Sequence, residues 1–539
     1  MNFYLEISDH FSTPLKIFSI KHEILFFLSF FQPLDRTSVK NTRRLFNSMN
    51  VYLEFENDED VNFLKEVLKT HGQNVKTLEW TNWSKFVLKH DDVIEIFGLL
   101  PNLEELQLSS WSVEFLKPDG SAENVLNLRN LKKLEFSHCD DFIVDFMVNF
   151  LPKNIIQQLK IDEYTKSGDS VRNLIGNQQS IVNLDIEGYG FSKAVFSSLK
   201  LTHLRCVSRD SETPLEQQTF LKALIASQPG LKFLDTLSDR DFSYNFVNDE
   251  IFQEITKCHF LESLKINIDG VSATAIRDIK KLEKLNYLEL KTNVETSLEV
   301  FEEFSLQKLP LEHLYLHLWG FEIPQQTYKQ FGENFNLKSL KIKLGTWHQI
   351  NFFIESFPSL ESLSIRFGEA NNTVELSRVF SGEDLKIHEK IKSLNLTFWG
   401  GELITCEKLL KLLSSFPNLE KLKITSKFPF SSEFFNILST SLRHIKSLEI
   451  LGIAVDDEEK FSSEVIESLK TVARKLEYCN FIIQYKKDLF FGENVQNAYK
   501  FTFEPLMVLK DVFKINEATR SNIRLMKHLT LISGKEIKQ

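Results

Sequence analysis

The sequence predicts an α/β solenoid, in which strand–helix units stack side by side with a parallel inner sheet and outer helices. Three observations carry that prediction. A six-residue template, apolar-x-x-Leu-x-apolar, recurs over roughly four fifths of the chain. Helical apolar patterns lie between copies, as in Phe220–Ala226, Ile350–Phe357 and Cys406–Phe416. Proline stands just ahead of several copies, at Pro101, Pro229, Pro358 and Pro417, where it stops a helix because it lacks a donor and restricts its predecessor.

The template begins at Leu103, Leu131, Ile156, Ile181, Leu201, Leu261, Leu285, Leu311, Leu337, Leu360, Ile391, Leu419 and Ile445. Weaker copies begin at Val75, Leu231 and Leu476. The mean spacing is about 27 residues, within a range of about 20 to 31. Leu-x-Leu alternation has a period of two, so each copy makes a short strand with one buried face. A single strand–helix unit cannot hide that face, whereas stacked neighbours bury one continuous core.

This period and pattern resemble the leucine-rich repeat. The resemblance implies a horseshoe, because strands are narrower than the helices behind them. One position departs from the family. Three residues past the last apolar strand position, where Asn or Cys is usual, stand Trp111, Cys139, Tyr164, Tyr189, Asp269, Asn293, Trp319 and Trp399. The usual asparagine ladder is therefore mostly missing, and the turns must be satisfied otherwise.

Ahead of the repeats, residues 1–50 read as a small helical segment. Ile24, Leu25, Phe27, Leu28 and Phe31 fit helical spacing, Pro33 breaks the run, and a second helix carries Val39, Leu45 and Phe46. The segment resembles an F-box: Glu23-Ile24-Leu25 matches its opening, Phe27–Phe31 its helix, and Pro33-Leu34-Asp35 its turn. Lys21 replaces the motif's proline, and Thr42-Arg43 its Val-Cys pair. A plain helical cap on the solenoid is the alternative. Residues 51–485 are assigned to the solenoid, with Val51–Phe55 and Val61–Leu68 as an irregular first unit. Residues 486–539 depart from the template and are assigned to a C-terminal cap and tail.

Composition narrows the function. The chain has 539 residues and a formal net charge of -10, which does not favour nucleic acid or an anionic membrane. The longest apolar run, Ile24–Phe31, is far shorter than the roughly 20 residues that span a bilayer. Met1–Lys21 lacks the apolar stretch of a secretory signal. The 5 cysteines are scattered singly, which reads as reduced and intracellular, cytoplasmic or nuclear. The 48 phenylalanines point to bulky core filling.

Chemistry-bearing motifs are missing. The sequence holds no phosphate-binding loop and no G-x-S-x-G elbow. His313 and His317 are too far apart along one strand to share a zinc ion, and His203 with Cys206 offers at most two ligands. No cofactor, metal or catalytic residue is assigned.

A binding face is assigned instead. Residues between the buried strand positions point away from the core. Early copies contribute Glu105, Glu135, Asp162, Asp185, Glu187 and Asp235; later ones contribute Lys265, Lys291, Lys341, Lys343, Arg366, Lys421 and Lys423. Tyr287, His313, Tyr315 and His317 lie between. The expectation is an acidic first half and a basic second half, the latter suited to an acidic or phosphorylated peptide.

The F-box resemblance implies a substrate-recognition adaptor of a cullin-RING ubiquitin ligase. Ile24, Leu25, Phe27, Leu28, Phe31, Pro33 and Leu34 would dock the S-phase kinase-associated adaptor of the cullin complex, and the repeats would hold an unidentified protein substrate. Ligation chemistry would come from partner subunits, so the chain itself is expected not to be an enzyme. The other reading is a leucine-rich-repeat scaffold outside any ligase.

Overall fold

The structure, a computed structural model, describes residues 3–7, 48–53, 58–82, 89–109, 126–139, 141–161, 168–187, 196–207, 214–237, 247–292, 298–318, 323–344, 354–367, 387–398, 413–428, 436, 444–454, 478–485, 498–503 and 514–517. The chain divides into two units, Met1–Lys284 and Leu285–Gln539.

In the first unit, β1 (Phe3–Ile7) pairs antiparallel with β2 (Ser48–Leu53). The ladder then runs parallel in chain order: β2, β3 (Thr77–Asn82), β4 (Glu105–Ser109), β5 (Lys133–Ser137) and β6 (Gln158–Ile161). It continues through β7 (Asn183–Glu187), β8 (His203–Val207), β9 (Phe233–Asp235) and β10 (Ser263–Asn267). Between strands lie α1 (Asp58–His71), α2 (His90–Gly98), α3 (Asp141–Phe150), α4 (Gly168–Asn177), α5 (Pro214–Ala226), α6 (Asp249–Ile255) and α7 (Ala273–Ile276).

The second unit repeats the plan. Strands β11 (Tyr287–Thr292), β12 (His313–Leu318), β13 (Ser339–Leu344), β14 (Ser362–Phe367) and β15 (Ser393–Phe398) are parallel neighbours. So are β16 (Lys421–Phe428), β17 (Ser447–Ala454) and β18 (Tyr478–Tyr485). Past residue 485, β19 (Ala498–Phe503) and β20 (Lys514–Glu517) turn antiparallel. The helices α8 (Leu298–Ser305) and α9 (Gln325–Asn334) sit between strands. In both units this strand–turn–helix alternation with a parallel ladder is a leucine-rich-repeat solenoid.

The leucines of the template set the register. Leu106 pairs with Leu134, Leu134 with Leu159, and Leu159 with Leu184. Leu314, Leu340, Leu363, Leu394 and Leu422 align likewise. All are buried. Truncating one to Ala costs about 2–5 kcal/mol through lost burial and the cavity left behind. Aromatic rings fill the space toward the helices: Phe304, Phe331 and Phe335 meet at centroid distances of 5.2 to 5.4 Å.

The helix-to-strand junction is a recurrent turn. Leu103, Leu231, Leu360 and Leu419 each donate a backbone N–H to the residue three back, with Pro101, Pro229, Pro358 and Pro417 at the second turn position. Proline favours that position because its φ is already set.

The asparagine ladder reappears here, one residue before the first template leucine. Asn102 Nδ2 donates to Gln73 O at 2.8 Å, Asn130 Nδ2 to Pro101 O at 3.2 Å, and Asn418 Nδ2 to Glu389 O at 2.9 Å. Buried glutamines do the same work. Gln178 Oε1 accepts from Ile155 N and Ile156 N at 2.9 and 3.1 Å, while its Nε2 donates to Pro152 O at 2.8 Å. Gln228 Oε1 accepts from Leu201 N at 2.8 Å and its Nε2 donates to Phe196 O at 2.9 Å. Each ties one repeat to the preceding one and satisfies buried backbone groups.

One expectation is corrected. Residues 1–50 were expected to be helical, yet 3–7 and 48–50 are strand. Phe3-x-Leu5-x-Ile7 carries the period of two that favours a strand, and a neighbouring edge is available to pair it. The F-box-like residues Ile24, Leu25, Phe27, Leu28, Phe31, Pro33 and Leu34 lie outside the described residues.

Candidate functional site

The face of each sheet opposite the leucines carries rows of side chains, one residue per strand. Because the strands are parallel and in register, template positions become continuous rows. In the first unit the central row runs Glu79, Gln107, Glu135, Lys160, Asp185, Arg205, Asp235, Lys265.

From Glu135 onward this row alternates in sign, which corrects the expected acidic half. Lys160 bonds Glu135 at 2.5 Å, Arg205 bonds Asp185 at 3.1 Å and Glu187 at 2.7 Å, and Lys265 meets Asp235 at 3.2 Å. Lys133 adds a bridge to Glu105 at 3.3 Å. The acids named from the sequence are therefore neutralised by bases one copy away. Asp162 lies outside the described residues. Burial pushes the Asp185 carboxyl above its usual range, even with Arg205 beside it. Burial works against the Arg205 charge too, but the Asp185 and Glu187 carboxylates outweigh it and hold its pKa above the ordinary value.

In the second unit the central row runs Glu289, Tyr315, Lys341, Ser364, Asn395, Lys423, Glu449. The row before it is Tyr287, His313, Ser339, Ser362, Ser393, Lys421, Ser447. On the other side His317 pairs in register with Lys291, while Lys343 pairs with Arg366, which is followed by Thr397 and Thr425.

The structure thus aligns most of the residues assigned to the face, but they are not equally accessible. Lys341 and Lys421 are exposed; Tyr287, His313, His317, Arg366 and Lys423 are half-buried. Tyr315 is only 9% exposed and Lys291 3%. Lys343 holds its strand position, and its side chain is outside what the structure describes.

Local contacts explain the burial. Lys341 Nζ lies 4.0 Å from the Tyr315 ring centroid, and His317 stacks against the same tyrosine at 6.1 Å. Tyr287 lies against His313 at 6.3 Å, and its hydroxyl donates to Glu289 Oε2 at 3.0 Å. Lys423 Nζ bonds Glu449 at 2.8 Å. Adjacent strands are only about 4.8 Å apart, so large neighbouring side chains cover one another.

A second charged row borders this face, at the second template position. Lys76 bonds Glu104 at 2.6 Å, Lys338 bonds Glu312 at 2.7 Å, Lys392 bonds Glu361 at 2.9 Å, and Lys446 bonds Glu420 at 2.9 Å. These exposed pairs hold the Glu104, Glu312 and Glu420 carboxyls below the usual carboxylate range, through hydrogen bonds from Lys76, Lys338 and Lys446 first of all.

Among the described residues, no cluster of three or more His, Cys, Asp or Glu could hold a metal ion. Cys258 is buried, which pushes its thiol up to about 11, and Cys206 is half-buried. No described helix is long and apolar enough to cross a membrane.

No family model matches the chain, and no curated protein matches it. Among solved structures it is similar to the chain in "Crystal structure of TLR13-ssRNA13 complex", with 15% identity and a TM-score of 0.38 over 77% of this chain. The match spans 57% of that chain.

Proposed function

We propose that this chain is a non-catalytic protein-interaction scaffold that holds a protein partner on the inner face of its repeat array. The observation that carries the reading is the register itself. It lays half-buried and exposed polar side chains, such as Ser364, Asn395 and Thr397, in unbroken rows, while the leucines on the other face hold the rows rigid. A rigid sheet presenting side chains at fixed spacing binds without first paying to order a loop. The absence of a catalytic motif in the sequence fits the same reading.

Position-dependent crosslinking tests it. A photo-reactive residue at Ser364 should give a discrete covalent adduct with a partner protein in cells, and one at Leu215, exposed at the start of α5, should not. Adducts from Leu215 alone, or from neither position, reject the inner face.

The motif at residues 23–35 favours a second, narrower reading: the scaffold serves as the substrate-recognition subunit of a cullin-RING ligase in the cytoplasm or nucleus. Ile24, Leu25, Phe27, Leu28, Phe31, Pro33 and Leu34 would then dock the S-phase kinase-associated adaptor. Ubiquitin transfer would be by proximity, since the chain raises the effective concentration of its substrate near the catalytic subunits. Co-purification with that adaptor, abolished by Phe27→Asp plus Phe31→Asp, is the expected result. A wild-type chain that never co-purifies leaves only the scaffold.

A further inference from the structure

The charged row that borders the inner face runs unbroken through the second unit. There the residue immediately before each strand from β12 to β17 is in turn Glu312, Lys338, Glu361, Lys392, Glu420 and Lys446. From Lys338 on, each donates its backbone N–H to the carbonyl of the one before at 2.8 to 2.9 Å. The charges therefore follow one another at the strand spacing, about 4.8 Å. Their sign alternates strictly over all six. In the first unit the same row alternates from Lys76 through Glu104 to Lys132, then passes to Gln157, Val182 and Thr202. Within the second unit the six pair off as Glu312–Lys338, Glu361–Lys392 and Glu420–Lys446, with side chains 38 to 54% exposed.

An alternating row of even length reads with opposite signs from its two ends. A two-fold axis between β14 and β15 sets Glu312 against Lys446 of a second copy, Lys338 against Glu420, and Glu361 against Lys392, each contact made twice. An axis through any one member would set like against like, so sign fixes the register. A carboxylate accepts at both oxygens and an ammonium has three donors, so an exposed pair takes on a second partner without giving up the first.

We infer that this row is the contact through which two copies of the chain associate about a two-fold axis. The inference goes beyond the scaffold reading and does not depend on what the inner face holds. The row is neutral in sum, and the repulsion from the chain's net charge of -10 is screened beyond about 8 Å at physiological salt. A row about 24 Å long is smaller than a standard interface, and exposed pairs each contribute little. The dimer is accordingly weak and sensitive to salt.

Sedimentation equilibrium of the full-length chain, from about 1 to 500 µM in about 0.15 M salt, tests it. The wild type dimerises, and about 1 M sodium chloride weakens the dimer at least tenfold. Glu361→Lys alone, or Lys392→Glu alone, brings like charges together twice beside the axis and weakens association at least tenfold. An equimolar mixture of these two variants restores it, because every contact between them then joins opposite signs. Glu361→Lys with Lys392→Glu in one chain also keeps the dimer. Circular dichroism checks that the variants are folded, and Lys338→Glu, which opposes Glu420 with a like charge, stands in for either that is not. A wild type that stays monomeric across this range overturns the inference and leaves the row to a different partner. So does a dimer that the single reversals leave intact, which would place the contact on another surface, or a mixture that associates no more tightly than its components.

Discussion

Lys341 Nζ sits 4.0 Å from the centre of the Tyr315 ring, and the two residues are register partners on β12 and β13. The cation thus joins adjacent strands on the face away from the core. An exposed contact of this kind contributes about 0.5–1 kcal/mol. Tyr315→Leu and Lys341→Met should therefore be non-additive, with a coupling of about that size in a double-mutant cycle. Chemical unfolding of the four proteins measures it, and simple additivity would show that the ammonium over the ring contributes nothing.

Gln228 links two repeats through both ends of its amide, with 2% of its surface exposed. Gln228→Leu keeps the bulk but orphans Leu201 N–H and Phe196 C=O. Each lost partner costs about 1–3 kcal/mol in a buried site. The expected result is a lower thermal midpoint together with faster hydrogen exchange at the Leu201 amide, with amides of the second unit unaffected. Unchanged exchange at Leu201 would mean that this amide finds another acceptor.

Strand positions were legible because one pattern recurs many times, and each leucine is tested against its copies. Leu134 and Leu363 could be assigned to the core on that ground alone. The strand at Phe3–Ile7 is not legible in the same way, because a single five-residue alternation has no second copy to support it. The charge pattern of the first unit is hidden in the sequence for a different reason. Copy by copy, Asp185 and Glu135 are unopposed acids, whereas their neutralisation by Arg205 and Lys160 exists only across the register. Aligning the copies on their second leucine would have placed those bases in the same row. The asparagine ladder, expected after the strand, stands before it at Asn102, Asn130 and Asn418.

Gly332 in α9 lies against the backbone carbonyl of Ser356, where an added Cβ would clash. Gly98, at the end of α2, has nothing within 4 Å of the corresponding point. The same substitution should therefore have opposite outcomes. Gly98→Ala is neutral or stabilising by up to about 1 kcal/mol, through a less flexible unfolded chain. Gly332→Ala must push two consecutive repeats apart, at a cost of about 1–3 kcal/mol by the overpacking of a close contact. Resistance to limited proteolysis compares the two directly, and equal resistance would contradict the close approach at Ser356.

The bordering Lys–Glu row gives a pH and salt dependence. Glu104, Glu312 and Glu420 have carboxyls held below their ordinary 4.5 by the lysines of neighbouring repeats. A depressed carboxylate contributes stability above its unfolded pKa and loses it as pH falls through the folded value. The thermal midpoint should therefore drop as pH falls below about 4.5, and the pairs, being exposed, should respond to salt. A drop equally steep in dilute buffer and in molar sodium chloride would assign acid unfolding to other carboxylates.

Asp185 behaves in the opposite sense, and Arg205 decides by how much. Burial raises the Asp185 carboxyl above its unfolded 3.8, while Arg205 pulls it back. A carboxyl with a raised folded pKa binds more protons in the native state, so its contribution declines as pH climbs from the unfolded value through the folded one. Arg205→Leu removes the restraint and leaves Asp185 and Glu187 facing one another with no guanidinium between them. The variant should lie closest to the wild type near pH 4 and fall further behind toward pH 7, where losing the partner of a half-buried charged hydrogen bond costs about 1–3 kcal/mol. Asp185→Asn on top of Arg205→Leu should recover part of that loss at neutral pH and little at low pH. Midpoints measured across this range settle it: a deficit that stays constant with pH would mean that Arg205 acts through its packing and not through its charge.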